Sequence, residues 1–99
     1  MELAKVIGNV VSTVKIESLT IGKLLLVQFV GENGKAEGPP SVALDTIGAG
    51  ENEYVILVRG SSARVALDNR SSVDLTVVGI VDTVVSAGKY IYDKKSDKQ

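Results

Sequence analysis

The sequence predicts an all-β fold, a small barrel or sandwich of about five strands with at most one short helix. Three observations point there. Valine occurs 16 times in 99 residues, and its branched Cβ suits a pleated, half-buried surface better than a helix. Runs of Val, Ile and Leu recur at regular spacing, separated by segments rich in Gly, Pro, Asn, Asp and Ser. A chain of 99 residues with 44% hydrophobic content can build one core but not two. No internal repeat or shift of composition marks a second domain. The barrel is expected over residues 1–92 and a charged tail, DKKSDKQ, over 93–99.

Residues 4–14, AKVIGNVVSTV, read as the first strand. Ala4, Val6, Gly8, Val10, Ser12 and Val14 share one face by simple alternation, and Lys5, Ile7, Asn9, Val11 and Thr13 share the other. Gly8 in the middle predicts a bend or bulge. Residues 16–22 connect to a second strand over 23–30, KLLLVQFV. Gly31-Glu32-Asn33-Gly34-Lys35 is a turn, because Asn-Gly accepts positive φ at low cost. Gly38-Pro39-Pro40 prolongs the loop, since proline cannot donate to a central ladder. Residues 41–44 form a short strand, and 45–52, DTIGAGEN, an exposed loop. A further strand follows at 53–59, EYVILVR. Residues 60–67, GSSARVAL, read as one or two helical turns with Ser61 or Ser62 as N-cap, and 68–72 as a polar loop. Residues 75–85, LTVVGIVDTVV, form the fourth long strand. A turn at 86–89 leads into a short closing strand, Tyr90-Ile91-Tyr92.

Several strands are apolar on both faces. In the second, Leu25, Val27 and Phe29 oppose Leu24, Leu26 and Val30. In the fourth, Val77, Val81 and Val85 oppose Val78, Ile80 and Val84. A parallel sheet hides both faces under helices, but this chain has no helices to spare. Each such side chain gains about 1.5–3 kcal/mol on burial. The second face is therefore expected to be covered by another copy of the chain. The alternative is self-cover by the C-terminal hairpin and the 60–67 segment.

Composition excludes much chemistry. There is no Cys and no His, which removes disulfides, Cys/His zinc sites, cysteine nucleophiles and Ser-His-Asp triads. Neither a catalytic set, a cofactor site nor a metal site is expected. Gly48-Ala49-Gly50 opens a G-x-G, but Glu53 takes the third glycine's place and a strand follows instead of a helix. Asp45, Glu51 and Glu53 cluster around that loop; turn formation, with Asp45 as a cap, explains them better than acid–base catalysis. Asp74 and Asp82 flank the fourth long strand and need partners, for which Arg59 and Arg64 are the candidates. Eleven Lys and Arg against twelve Asp and Glu leave a net charge of −1. With four aromatic residues, Phe29, Tyr54, Tyr90 and Tyr92, this composition disfavours a nucleic-acid partner, and an OB-like module binding nucleic acid or a small ligand is the alternative reading. No apolar run approaches the roughly 20 residues of a membrane helix, so no membrane partner is expected. The first residues, MELAK, lack the pattern of a secretory signal, and a cytosolic protein is expected.

Three stretches together resemble the EutN/CcmL family, the vertex-forming shell proteins of bacterial microcompartments. They are Leu3-Ala4-Lys5-Val6-Ile7-Gly8 with Val10-Val11-Ser12-Thr13; Lys23-Leu24-Leu25-Leu26-Val27; and the series from Asp45-Thr46-Ile47-Gly48-Ala49-Gly50 and Glu53 through Val58-Arg59-Gly60-Ser61-Ser62-Ala63-Arg64 to Val73-Asp74-Leu75 and Val78-Gly79-Ile80-Val81-Asp82-Thr83-Val84. Two positions depart from the family's habit: Ser72 stands where Pro is frequent, and Tyr54 where Trp is frequent. The resemblance implies a five-stranded OB-like barrel that assembles as a cyclic homopentamer. Such a pentamer is a structural, non-enzymatic cap for the vertices of an icosahedral shell in the bacterial cytoplasm, with hexameric shell proteins as partners. Both carboxysome and ethanolamine or propanediol types remain open. The expected subunit contacts involve Gly48, Ala49, Gly50, Ser61, Arg64, Asp74 and Asp82, with Arg64 bonding Asp74 or Asp82 across subunits.

Overall fold

In the computed structural model the described residues are 1–11, 22–60 and 75–95. Seven strands run in order: β1 (Glu2–Val10), β2 (Lys23–Phe29), β3 (Ser41–Asp45), β4 (Tyr54–Arg59), β5 (Leu75–Ile80), β6 (Thr83–Ser86) and β7 (Lys89–Asp93). The first five close a barrel in the order β1-β2-β3-β5-β4, and β6 and β7 form a separate hairpin. All barrel pairings are antiparallel except β3 with β5, a short parallel join at Leu44–Thr76 and Asp45–Val77. No helix occurs among the described residues; the helical turns expected at 60–67 fall on 61–74, outside them.

The interior is aliphatic. Ala4 and Val6 of β1, Leu25 and Val27 of β2, Ala43 of β3, Val55 and Leu57 of β4, and Leu75 and Val77 of β5 form one buried cluster, with Ala49 from the loop after β3. Phe29 and Ile80 pack against it, partly exposed. Period-two alternation set Leu25, Val27 and Phe29 of β2 on one face, and that is the face turned to the core.

Two bulges correct the alternation elsewhere. In β1 the register slips between Val6 and Gly8, at the glycine where a bulge was expected. Val6 pairs with Val27, an inward residue, whereas Val10 pairs with Leu24, an outward one. Val10 thus leaves the face of Ala4 and Val6. In β5 the slip falls at Val78: Ile80 lies opposite Val55 and Val77 opposite Leu57. Three residues of β5 span two of β4, so Val77 and Ile80 share the inner side instead of opposing each other.

The expected fourth long strand is two strands. Its ladder ends at Val81, whose N–H donates to the Tyr54 carbonyl at 2.9 Å. The chain then breaks at Asp82 and re-pairs as β6 with β7. Tyr90-Ile91-Tyr92 consequently closes a hairpin and not the barrel; closure comes from the short β3. The Gly31–Lys35 turn forms as expected, with Gly34 at φ 79° and its N–H donating to the Gly31 carbonyl at 2.9 Å.

Candidate functional site

The loop leaving β3 is held by two carboxylates. Asp45 ends β3 and is only 2% exposed. Its Oδ1 accepts the N–H groups of Ile47 (3.0 Å) and Gly48 (3.3 Å), and its Oδ2 that of Ala49 (2.8 Å). A buried carboxylate needs such partners, and three backbone donors supply them. Asp45 is therefore the cap that the sequence suggested. Gly48 sits at φ 92°, a left-handed conformation that favours glycine. Ala49 is fully buried and plugs the barrel. Gly50 donates its N–H to Glu53 Oε1 at 2.5 Å. Asn52 N–H donates to the Val6 carbonyl at 2.8 Å, and Val6 N–H to the Glu53 carbonyl at 2.9 Å, tying the loop's end to β1. Gly22 faces the start of the loop; a Cβ there would collide with the Asp45 carbonyl.

Glu53 also reaches the hairpin. Its Oε2 pairs with Lys94 Nζ at 2.8 Å. That hydrogen bond, aided by the Gly50 N–H, holds the Glu53 carboxyl below its ordinary range and raises the Lys94 ammonium above its own. Beside the pair, the rings of Tyr54 and Tyr92 stack at 4.1 Å with 23° between planes. Lys94 N–H donates to the Asp82 carbonyl at 2.9 Å. Gly34 abuts Ile91, closely enough that a Cβ would lie 2.6 Å from Ile91 Cγ2. Asp82 is exposed and lines an open concavity of about 700 Å³ with Thr83, Tyr90, Asp93, Lys94 and Lys95.

The structure thus brings Gly48, Ala49 and Gly50 together with Glu53, while Asp82 stands at the hairpin root. Ser61, Arg64 and Asp74 lie outside the described residues. Arg59 binds Glu2 through Nε (2.5 Å) and Nη2 (2.9 Å), with its guanidinium 5.5 Å from the Phe29 ring centroid. That bond keeps the Glu2 carboxyl below its ordinary value. The Glu53–Lys94 and Tyr54–Tyr92 links were missed in the sequence, because their partners lie some forty residues apart and only the hairpin's fold-back unites them. Of the three acids grouped around the loop, Asp45 and Glu53 accept backbone N–H groups and Glu51 is exposed. Among the described residues no three Asp, Glu, His or Cys side chains gather to hold a metal.

The outside of the barrel carries the remaining apolar surface. Leu24, Leu26 and Leu3 are half-buried, as are Ile56 and Val58. Ile7 (37%), Val42 (46%), Ile47 (48%) and Val78 (38%) are exposed. Apolar side chains on the outer strands of a closed barrel are surface that association would bury. The comparisons identify the family. The family model for ethanolamine utilisation protein EutN and its carboxysome counterpart, EutN/CcmL, matches residues 1–82. The microcompartment shell vertex protein EutN of Escherichia coli K12 is 50% identical over 95% of this chain and its own full length. The carboxysome shell vertex protein CcmL of Synechocystis is 49% identical, covering 98% of each chain. The crystal structure of Escherichia coli EutN superposes with a TM-score of 0.86, covering 96% of this chain and 99% of that one. The pentameric shell protein GrpN of Rhodospirillum rubrum gives 0.79 at 50% identity, covering 88% of this chain and all of GrpN. The chain belongs to the EutN/CcmL family.

Proposed function

We propose that five copies of this chain form a ring that caps the vertices of a bacterial microcompartment shell. The observation that carries the reading is identity near one half, along almost the whole chain, to shell vertex proteins of both carboxysome and ethanolamine-utilisation type. The fold supports it, since a barrel that keeps aliphatic residues on its outer walls gains from a neighbour. The role is structural: the chain works by shape and not by turnover. Its shell partners are hexameric tiles, and its place is the bacterial cytoplasm. Gly48, Ala49 and Gly50, with Ser61, Arg64, Asp74 and Asp82, take part in the subunit contacts, Arg64 bonding Asp74 or Asp82 of the next copy.

Light scattering on the purified chain tests this. The expected mass is five times the 10.4 kDa of one chain. A species of one chain at high concentration would sink the proposal. Arg64→Glu is expected to reduce the ring to smaller species, whereas an unchanged mass removes Arg64 from the contact.

A further inference from the structure

We propose that Asn33 is a site of spontaneous deamidation, restrained by the turn that holds it, and that its conversion to an acid loosens the seat of the β6–β7 hairpin.

Asn33-Gly34 is the one Asn-Gly pair in the sequence. The other asparagines precede larger residues, Val10, Glu53 and Arg70. The reaction needs no catalyst beyond water and base. The Gly34 nitrogen loses its proton and attacks Asn33 Cγ. The new N–C bond closes a cyclic imide, the Cγ–Nδ2 bond breaks, and ammonia leaves carrying the proton that the glycine gave up. Water then opens the imide at either carbonyl. One product is aspartate; the other is isoaspartate, whose main chain runs through the side-chain carbon. Glycine favours the attack because no Cβ shields its nitrogen.

The fold holds this dipeptide in place. Gly34 has φ 79°, and a Cβ on it would lie 2.6 Å from Ile91 Cγ2 of β7. Two separate constraints therefore demand glycine at 34. Asn33 Oδ1 accepts the Lys35 N–H at 2.9 Å, a local bond that closes the turn. Aspartate could accept that bond as well, but its charge would stand near Glu37. The Glu37 carboxylate and Asn33 Oδ1 both lie over Gly31, and a like charge there is unfavourable. The neutral amide suits the turn, and the glycine after it makes that amide reactive.

The same hydrogen bonds slow the reaction. The Gly34 N–H, the attacking group, donates to the Gly31 carbonyl at 2.9 Å, and the Gly31 N–H donates to the Lys35 carbonyl at 2.9 Å. Attack waits until the turn opens. Asn33 is exposed, so water reaches the imide once it forms. Isoaspartate then adds a carbon to the main chain just before Gly34 and displaces it from Ile91. Aspartate sets a second carboxylate beside Glu37.

The full chain, native and unfolded in guanidinium chloride, would be incubated at mildly alkaline pH and digested. Mass spectrometry would follow each asparagine, with isoaspartate marked by an isoaspartyl methyltransferase. Conversion is expected at Asn33 ahead of Asn9, Asn52 and Asn69. It should be slower in the native protein by about tenfold or more, the effect of keeping both turn bonds closed. Hydrogen exchange over residues 83–93 should be faster in converted than in fresh protein. Asn33→Asp should melt below the wild type, and adding Glu37→Gln should restore part of the loss. Another asparagine converting first in the native protein would remove Asn33 as the site. Equal rates in native and unfolded protein would remove the restraint. Unchanged exchange over 83–93 after conversion would remove the link to the hairpin, and Asn33→Asp melting like the wild type would remove the clash with Glu37.

Discussion

At the scale of single residues, Asp45 shows how a loop that looks soft in sequence is made stiff. DTIGAGEN has two glycines and no proline, yet three N–H groups converge on one buried carboxylate. Asp45→Ala leaves those donors facing an apolar interior, and an unsatisfied buried donor costs about 1–3 kcal/mol. The expected outcome is a loss of at least about 2 kcal/mol of stability, read as a lowered midpoint in thermal unfolding followed by circular dichroism. Asp45→Asn, which retains one acceptor oxygen, should lose less. The opposite sign is expected at Ala87. It has φ 52° and precedes Gly88 at φ 77°, a pair of left-handed residues joining β6 to β7. That turn favours Asn-Gly, and a left-handed alanine is strained by roughly 1–2 kcal/mol. Ala87→Asn or Ala87→Gly should raise the midpoint of the same melt by an amount equivalent to about 0.5–1 kcal/mol.

At the scale of elements, strand existence was legible and strand register was not. The aliphatic runs announced β1, β2, β4 and the β5–β6 stretch, because a pleated core needs such side chains wherever they fall along the chain. The two bulges were legible only in part. Gly8 signalled one, since a residue without a side chain suits an irregular strand; Gly79, directly after Val78, is the matching signal for the other and went unread. The bulge at Val78 is dictated by the partner, which must set both Val77 and Ile80 against β4. The Asp45 cap was visible because its donors lie within four residues; the Glu53–Lys94 tie spans forty-one positions and was invisible. That tie has a pH signature. The Glu53 carboxyl titrates below its ordinary value of 4.5 because Lys94 and Gly50 bond its charged form. Its contribution is complete above 4.5 and is lost as pH falls through lower values, when the folded carboxylate takes up its proton. The hairpin should then loosen from the loop, separating Tyr92 from Tyr54. With no Trp in the chain, tyrosine fluorescence reports this directly. An acid-induced change is expected in the wild type, and Glu53→Gln should remove most of it. Lys94 is exposed, so solvent screens the pair and its contribution weakens with salt.

At the scale of the whole molecule, a barrel with apolar walls ties its stability to its own concentration. Folding and ring closure are one equilibrium if isolated chains leave Leu24, Leu26, Ile56 and Val58 only half-buried. Mass action then stabilises the folded ring as the protein is concentrated. For a five-membered ring, each tenfold rise stabilises one chain by four fifths of about 1.4 kcal/mol, or about 1.1 kcal/mol. In a domain of this size that corresponds to a rise in melting midpoint of about 4–8 °C. Slow calorimetric scans at three concentrations spanning a hundredfold would measure it. Val42→Arg places a charge at a 46% exposed wall position, where solvent accepts it in the lone chain but an apolar neighbour does not. The variant should run at the mass of a single chain and melt at a lower midpoint that does not vary with concentration. A wild type whose midpoint is equally flat would mean that the walls are satisfied within one chain, by the self-cover that the sequence left as the alternative. The aliphatic excess of the outer strands would then have to be explained without a neighbour.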